Sequence, residues 1–354
     1  MELLRVRLLR VPLALAALSL GLFPTIAFSQ APFYQGKTIT ILNGNEPGGT
    51  GDMRMRALIP FLKKYLPGDP VVVAEFMPGG GGRKLANHIS KVARPDGLTL
   101  GFPPGGFIAS AVLGETGVDY DLNKLIFVGS PESSTHYVFL TRKESGLTSI
   151  EKLWAAPNLR IGAQSVGHTV YIVGRLFSYI LRLKEPRFVT GYSGPEIDLA
   201  LMRGEVDARA NIADTVLKRN PEFMEKGLVD IHAIIEIPKG NKHPRFAQLA
   251  EVDAFIKSDR ERKIVDLFRS LRLVGSPYIL PPGTPRERVE ILRDAFQMVY
   301  KDQDFRKGYK KLVGDDPSPL TGPEIERAIQ GLPREASILE IFKQVTGPGP
   351  LPPA

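Results

Sequence analysis

A glycine-rich turn held between a strand and a helix constrains this chain more than any other stretch. The turn is Asn43-Gly44-Asn45-Glu46-Pro47-Gly48-Gly49-Thr50-Gly51-Asp52. Before it, Thr38-Ile39-Thr40-Ile41-Leu42 is a β-branched run that reads as a buried strand. After it, Leu58, Phe61, Leu62, Tyr65 and Leu66 recur at helical spacing. The first N–H groups of a helix have no intrahelical acceptor, and the helix dipole adds partial positive charge there. Glycines let an anion come close to that backbone. Thr50 or Asp52 is expected to cap the helix. An ordinary βα turn without a ligand has the same pattern, so this stretch alone leaves both readings open.

The pattern then recurs. Val71-Val72-Val73-Ala74-Glu75 reads as a second strand, and Met77-Pro78-Gly79-Gly80-Gly81-Gly82 opens a second helix with Leu85, Ile89 and Val92 on one face. Arg94-Pro95-Asp96-Gly97 stops it before a third strand, Leu98 to Phe102. Strands alternating with helices at this spacing predict βαβ units and a parallel sheet. Both glycine turns then lie at the same ends of neighbouring strands, where open α/β sheets bind ligands. Two helix N-termini facing one crevice point to an anion more strongly than either turn alone.

A second α/β stretch follows. Leu125 to Gly129 and Tyr137 to Thr141 read as strands joined by a polar link through Pro131 and Thr135. Further strands are expected at 159–163, 188–190, 206–210 and 231–237. Gln164-Ser165-Val166-Gly167-His168-Thr169 opens an apolar helix, and Gly191-Tyr192-Ser193-Gly194-Pro195 opens another. Thr148-Ser149-Ile150-Glu151 has the form of a capping box. Charged helices are expected at 246–257 and 260–271. Pro277 to Pro285 reads as a stiff extended connector into a helix started by Thr284-Pro285-Arg286-Glu287, and Thr321-Gly322-Pro323-Glu324 repeats that start.

The chain's 354 residues suit two domains, and a 43% apolar share supports real cores. The formal charge of +8 is spread without a block of like charges, which argues against a nucleic-acid partner. The absence of cysteine removes disulfides, thiolate metal sites and cysteine nucleophiles. Arg5, Arg7 and Arg10 precede an apolar run from Val11 to Phe23, and Ala27-Phe28-Ser29 supplies small residues for cleavage. Residues 1–29 are therefore expected to be a signal peptide, and the mature chain to be exported to the periplasm.

Several chemical motifs fail. The P-loop lysine is missing after Gly49, the dinucleotide glycine pattern is not met, and Gly191-Tyr192-Ser193-Gly194 misplaces the second glycine of a nucleophile elbow. No pair among His88, His136, His168, His232 and His243 has metal-ligand spacing. No catalytic residue, metal or cofactor is expected. Tyr192 reads as packing or a pocket wall. Asp207 and Asp214 are candidate ligand contacts, with a cap or a solvated carboxylate as the plainer role.

Taken together, segments along nearly all of the mature chain resemble the extracytoplasmic solute receptors of tripartite tricarboxylate transporters, the Bug family. They are Tyr34-Gln35-Gly36-Lys37-Thr38-Ile39-Thr40, Pro47-Gly48-Gly49-Thr50-Gly51-Asp52, Pro78-Gly79-Gly80-Gly81-Gly82 and Pro95-Asp96-Gly97-Leu98-Thr99-Leu100. Asp119-Tyr120-Asp121, Gly191-Tyr192-Ser193-Gly194, Gly204-Glu205-Val206-Asp207 and Pro282-Gly283-Thr284-Pro285 follow in family order. The resemblance implies a type II-like periplasmic binding protein of two α/β lobes closing on a small carboxylate. The ligand would sit on backbone N–H groups of the two glycine loops, with Ser165, His168 and Thr169 gripping its other end. The expected ligand contacts are Asn43, Pro47, Gly48, Gly49, Thr50, Gly51, Asp52, Gly79, Gly80, Gly81, Ser165, Gly167, His168, Thr169, Tyr192 and Asp207. The partners implied are a small organic carboxylate and a membrane permease, with the receptor a monomer.

The chain departs from the family at Asn43-Gly44-Asn45-Glu46, at Ala74-Glu75-Phe76, and at Arg209 and Asn211, where apolar residues are frequent. A Glu46 side chain in the cleft would repel a second carboxylate. The expected division is residues 30–131 plus 275–346 for the first lobe, 132–274 for an inserted second lobe, and 347–354 for a loose tail. The chain would cross between lobes near Gly129 to Ser134 and again near Gly275 to Pro282, a layout suited to hinge closure. Two other functions fit the same cleft: a ligand sensor for a signalling system, and a secreted enzyme with His168 or Asp207 as base. The enzyme lacks a nucleophile and an oriented base.

Overall fold

The computed structural model describes residues 31–353; the expected signal peptide lies outside the described residues. In chain order the strands are β1 (Thr38–Asn43), β2 (Val71–Phe76), β3 (Thr99–Phe102), β4 (Ile126–Ser130), β5 (Tyr137–Arg142) and β6 (Arg160–Gly162). They continue with β7 (Arg187–Val189), β8 (Ala208–Ile212), β9 (Val229–Ile235), β10 (Tyr278–Leu280) and β11 (Leu320–Thr321). The α-helices begin with α1 (Thr50–Tyr65), α2 (Arg83–Lys91), α3 (Gly106–Val112), α4 (Ile150–Ala155), α5 (Thr169–Ile180), α6 (Gly194–Met202) and α7 (Ala213–Arg219). They end with α8 (Pro221–Glu225), α9 (Asp259–Leu273), α10 (Arg286–Lys301), α11 (Gln303–Val313), α12 (Gly322–Gln330) and α13 (Ala336–Thr346).

These strands build two sheets. One is six-stranded, in the order β11-β4-β10-β3-β1-β2; the other is five-stranded, in the order β7-β6-β8-β5-β9. β1 lies parallel to β2 and β3, as the βαβ pattern predicts. β10 enters the same sheet antiparallel to β3 and β4. The segment expected as a connector is therefore a central strand. Its prolines, at 277, 281 and 282, lie outside Tyr278–Leu280, so the three strand residues keep their N–H groups for pairing. In the second sheet β5 runs antiparallel to β8 and β9, while β6 is parallel to β7 and β8.

Each sheet is covered on both faces. α1, α10 and α11 close one face of the first sheet, where Leu58, Leu62, Leu292, Phe296, Phe305 and Tyr309 are buried. Burying a side chain of this size stabilises by about 1.5–3 kcal/mol. α6, α7 and α8 pack against one face of the second sheet through Leu201, Val216 and Phe223. A third cluster joins the remaining faces, running from Leu85, Ile89 and Phe107 through Phe139, Leu176 and Phe177 to Phe268 and Phe342. α13 thereby packs on α5 and α9. The residues after it lie against α5: Tyr171 Oη donates to the Gly347 carbonyl at 3.0 Å, and half-buried Leu351 packs on the shared cluster.

The helix expected at 246–257 is instead irregular, with only a 3-10 turn at Val252–Phe255. The Glu251 side chain accepts from the Asp253 N–H and also pairs with Arg269. Such local side-chain bonds offer the backbone an alternative to a helix. Among the described residues, no helix is long and apolar enough to cross a membrane.

Candidate functional site

The two sheets face each other across a cavity of about 50 Å³. Two helix N-termini open onto it. α1 begins after Gly49, which supplies no side-chain cap, so its first N–H groups stay uncapped. The predicted cap Asp52 turns to Gly48 N at 2.8 Å and Arg56 Nε at 2.8 Å. From the opposite lobe α5 begins at Thr169 after His168, whose Nδ1 accepts from Val170 N at 3.2 Å. That bond leaves the imidazole proton on Nε2. Burial and the nearby Arg272 charge pull the His168 pKa down to about 3, so the ring is neutral.

Arginine side chains dominate the walls. Arg54 comes from α1, Arg209 from β8, Arg219 from the end of α7 and Arg272 from the end of α9. Arg54 and Arg272 share Glu132, at 3.2 and 2.8 Å. Thr135 Oγ1 and Ser276 Oγ also donate to Glu132, at 2.7 and 2.8 Å. The two guanidinium charges outweigh burial and hold the Glu132 carboxyl down at about 2. Arg209 and Arg219 share Asp198, Arg219 Nε at 2.7 Å. Arg209 also donates to the Gly194 carbonyl at 3.0 Å and the Ala210 carbonyl at 3.3 Å.

Among the described residues, several that line this space carry a buried polar atom without a hydrogen-bond partner. They are Arg54 Nε, Arg272 Nε, His168 Nε2, Asn211 Nδ2 and the Thr169 hydroxyl. Such groups are costly to bury unpaired, and five residues that carry them line this one cavity. Among the described residues, no group of three His, Cys, Asp or Glu side chains could hold a metal.

Of the contacts expected from sequence, Gly49, Thr50, Gly51, His168 and Thr169 line the cavity. Gly79, Gly80, Gly81, Ser165 and Gly167 do not; all but Gly79 form a seam between the lobes. Gly81 N donates to Ser165 Oγ at 3.3 Å, and a Cβ on Gly81 would come within 2.3 Å of the Gly167 backbone. Asn43 is buried beside the site, its Oδ1 accepting from Asn45 Nδ2 at 2.9 Å. Pro47 and Gly48 are exposed, and Asp52 is spent on the turn itself. Tyr192 Oη reaches Glu205 at 3.4 Å, and Asp207 pairs with Arg160 at 2.6 Å; neither lines the cavity.

Glu46 also stays out of the lining. It accepts from Gln164 Nε2 of the facing lobe at 2.8 Å, and burial raises its pKa. Arg209 and Asn211, noted as departures, do line it. Arg54, Arg219 and Arg272 escaped the sequence reading. Arg54 carried one usable signal: it lies one turn after Thr50, on the same helix face.

No family model matches the chain, and no curated protein matches it significantly. Solved structures do. "Structure of periplasmic binding protein BugD" is 16% identical, with a TM-score of 0.69 over 88% of this chain and 98% of that one. MatC from Rhodopseudomonas palustris with bound malate is 18% identical, with a TM-score of 0.66 over 88% and 99%. Rpa4515 of R. palustris with adipate is 17% identical, with a TM-score of 0.67 over 88% and 97%. At these identities the likeness is one of fold, and with the two covered sheets it leads to one conclusion: this chain has the periplasmic-binding-protein fold, two α/β lobes with the arginine-lined cavity between them.

Proposed function

We propose that the chain is an extracytoplasmic solute receptor of the tripartite tricarboxylate transporter type, taking a small carboxylate between its lobes. The observation that carries this reading is the clustering, in the lining of the interlobe cavity, of arginines and of residues whose buried polar atoms have no hydrogen-bond partner among the described residues. A carboxylate offers acceptor oxygens for just such donors. The uncapped start of α1 at Thr50 and Gly51 adds backbone N–H groups and a favourable dipole. The likeness to MatC with malate and to Rpa4515 with adipate supports the same class of ligand.

The receptor performs no chemistry. It works in the periplasm, exported by the signal peptide at residues 1–29, and delivers its ligand to a membrane permease as a monomer. The first lobe comprises residues 30–131 and 275–346, and the second 132–274. Support for that division comes from β5 to β9, which pair only among themselves. The two crossings touch: Ser130 Oγ donates to the Ser276 carbonyl at 3.2 Å. A pair of adjacent crossings suits a hinge.

The test is a thermal-shift screen of mono-, di- and tricarboxylates, aromatic acids and amino acids. A true ligand at 100 times its Kd adds about 2.7 kcal/mol to stability. A flat response across all the acids would sink the reading.

A further inference from the structure

A second cavity, of about 960 Å³, lies between α5, β7 and the C-terminal residues, and its lining shares no residue with the interlobe cavity. Small-molecule sites occupy about 300–1,000 Å³. Every residue of α5 is buried, and Arg175 in its middle is 3% exposed. The other deeply buried arginines each have a carboxylate: Glu132 for Arg54 and Arg272, Asp198 for Arg209, Glu251 and Asp253 for Arg269. Among the described residues Arg175 has none within ion-pair distance, and burial pulls its pKa down. Its Nε donates to the Val345 carbonyl at 2.8 Å and its Nη2 to the Gln344 carbonyl at 3.4 Å; Nη1 takes part in neither bond. The guanidinium lies 5.3 Å from the centre of the Phe188 ring. The two carbonyls belong to the last turn of α13, where the helix dipole supplies about half a negative charge. Part of a buried positive charge is therefore left uncompensated.

Tyr179 stands one turn further along α5, 2% exposed, and its buried hydroxyl has no hydrogen-bond partner among the described residues. It lines the same cavity as Arg175. Of the other charged side chains in the lining, Arg182 pairs with Glu261 at 2.6 Å, and Arg187 and Glu185 are opposite in sign. The charge left over is that of Arg175. Much of the remaining wall is apolar. Tyr171 packs edge-on against Phe188, ring centres 5.4 Å apart, and Pro348, Pro350 and Leu351 face them from the tail. An unanswered buried charge and an unpartnered hydroxyl are costly unless an acceptor meets them, and the apolar wall suits a hydrocarbon or aromatic body. We propose that this cavity is a second ligand site, taking an amphipathic monocarboxylate with its acid group at Arg175 and Tyr179 and its apolar body between Tyr171, Phe188 and the tail prolines. The site stands independently of the receptor reading.

The experiment is calorimetric titration of the mature chain at pH 7 with octanoate and 4-phenylbutyrate, against octanamide, which lacks the charge, and acetate, which lacks the body. At least one of the two long acids should bind about tenfold more tightly than octanamide. It should bind at least about 30-fold more tightly than acetate. Tighter binding of octanoate marks a fatty acid and of 4-phenylbutyrate an aromatic acid; either supports the site. Arg175→Gln should bring the preferred acid and octanamide within about threefold of each other. Tyr179→Phe removes a hydroxyl that holds no partner, so folding should survive it, and it should weaken the acid by about tenfold. That variant decides the matter if Arg175→Gln fails to fold. Long acids that bind no better than octanamide or acetate overturn the site. So does binding left unchanged by Tyr179→Phe, which would place the acid elsewhere, the interlobe cavity included.

Discussion

The cavity's two arginine pairs, Arg54 with Arg272 and Arg209 with Arg219, use the same parts and differ in where the shared carboxylate stands. Asp198 sits on α6 and accepts from Arg209, Arg219 and Asn220, all within the second lobe. Glu132 sits on the outgoing crossing. Its partners come from α1, from α9, from Thr135 just before β5 and from Ser276 on the return crossing. The backbone is drawn in too: Gly275 has a φ of +80°, and a Cβ there would lie 2.0 Å from the Glu132 carbonyl. One pair is a local arrangement, and the other ties the cavity to the crossings between the lobes. The lesson is that similar electrostatics can stabilise one lobe or couple two, depending on which elements supply the partners.

The sharpest way to break this contrast is to remove each carboxylate in turn. Glu132→Gln strands two buried guanidinium groups at the crossings and should cost about 3–5 kcal/mol. Asp198→Asn should cost less, about 2 kcal/mol, because Arg209 keeps the Gly194 and Ala210 carbonyls. Urea denaturation of both variants measures the difference. If Asp198→Asn proves the costlier change, Glu132 is not the hub.

Acidity offers a second, smaller probe. The folded Glu132 carboxyl lies at about 2, below its ordinary 4.5. Its contribution is therefore fully present above about pH 4.5 and is lost as pH falls towards 2. Asp315 is displaced the other way, raised by burial to about 6 from 3.8. Its ionisation makes folding less favourable, so that part of the stability declines as pH rises from about 4 to 6. Stability curves of wild type and Asp315→Asn should converge near pH 4 and separate by pH 7. Identical pH dependence in the two proteins would show that Asp315 titrates normally.

The smallest effect concerns a neutral contact across the cleft rather than an arginine pair. Thr50 Oγ1 and Thr215 Oγ1 are 2.9 Å apart across the cleft. Thr50→Ala removes one neutral hydrogen bond, worth about 0.5–1.5 kcal/mol. It should lower the thermal midpoint by at most about 2 °C. A larger drop would mean that closure rests on this contact more than on the charged hub.

Local pattern made much of the fold readable. The β1-turn-α1 unit, the parallel β2 and β3, the apolar face of α10 and the capping box at Thr321 all follow from hydrophobic period and cap chemistry. These signals span a few residues, and the chain meets them in the order written. The opening of the site was readable for the same reason, since Gly49, Thr50 and Gly51 are a turn and a helix start.

What the sequence by itself determined is where helices begin and which faces are apolar, because propensity, capping and periodicity act between near neighbours. Only the tertiary structure decided what those helix starts confront. Sequence paired the N-terminus of α1 with that of α2; in space α1 meets α5 of the other lobe, and the second glycine loop closes on Gly167 instead. It also decided that Arg54, Arg209, Arg219 and Arg272 share one cavity, although they come from α1, β8, α7 and α9. An arginine on a helix or in a buried strand has no local signature of its destination. Its partners lie up to 140 residues away, as Glu132 does from Arg272, and long-range packing alone brings them within reach.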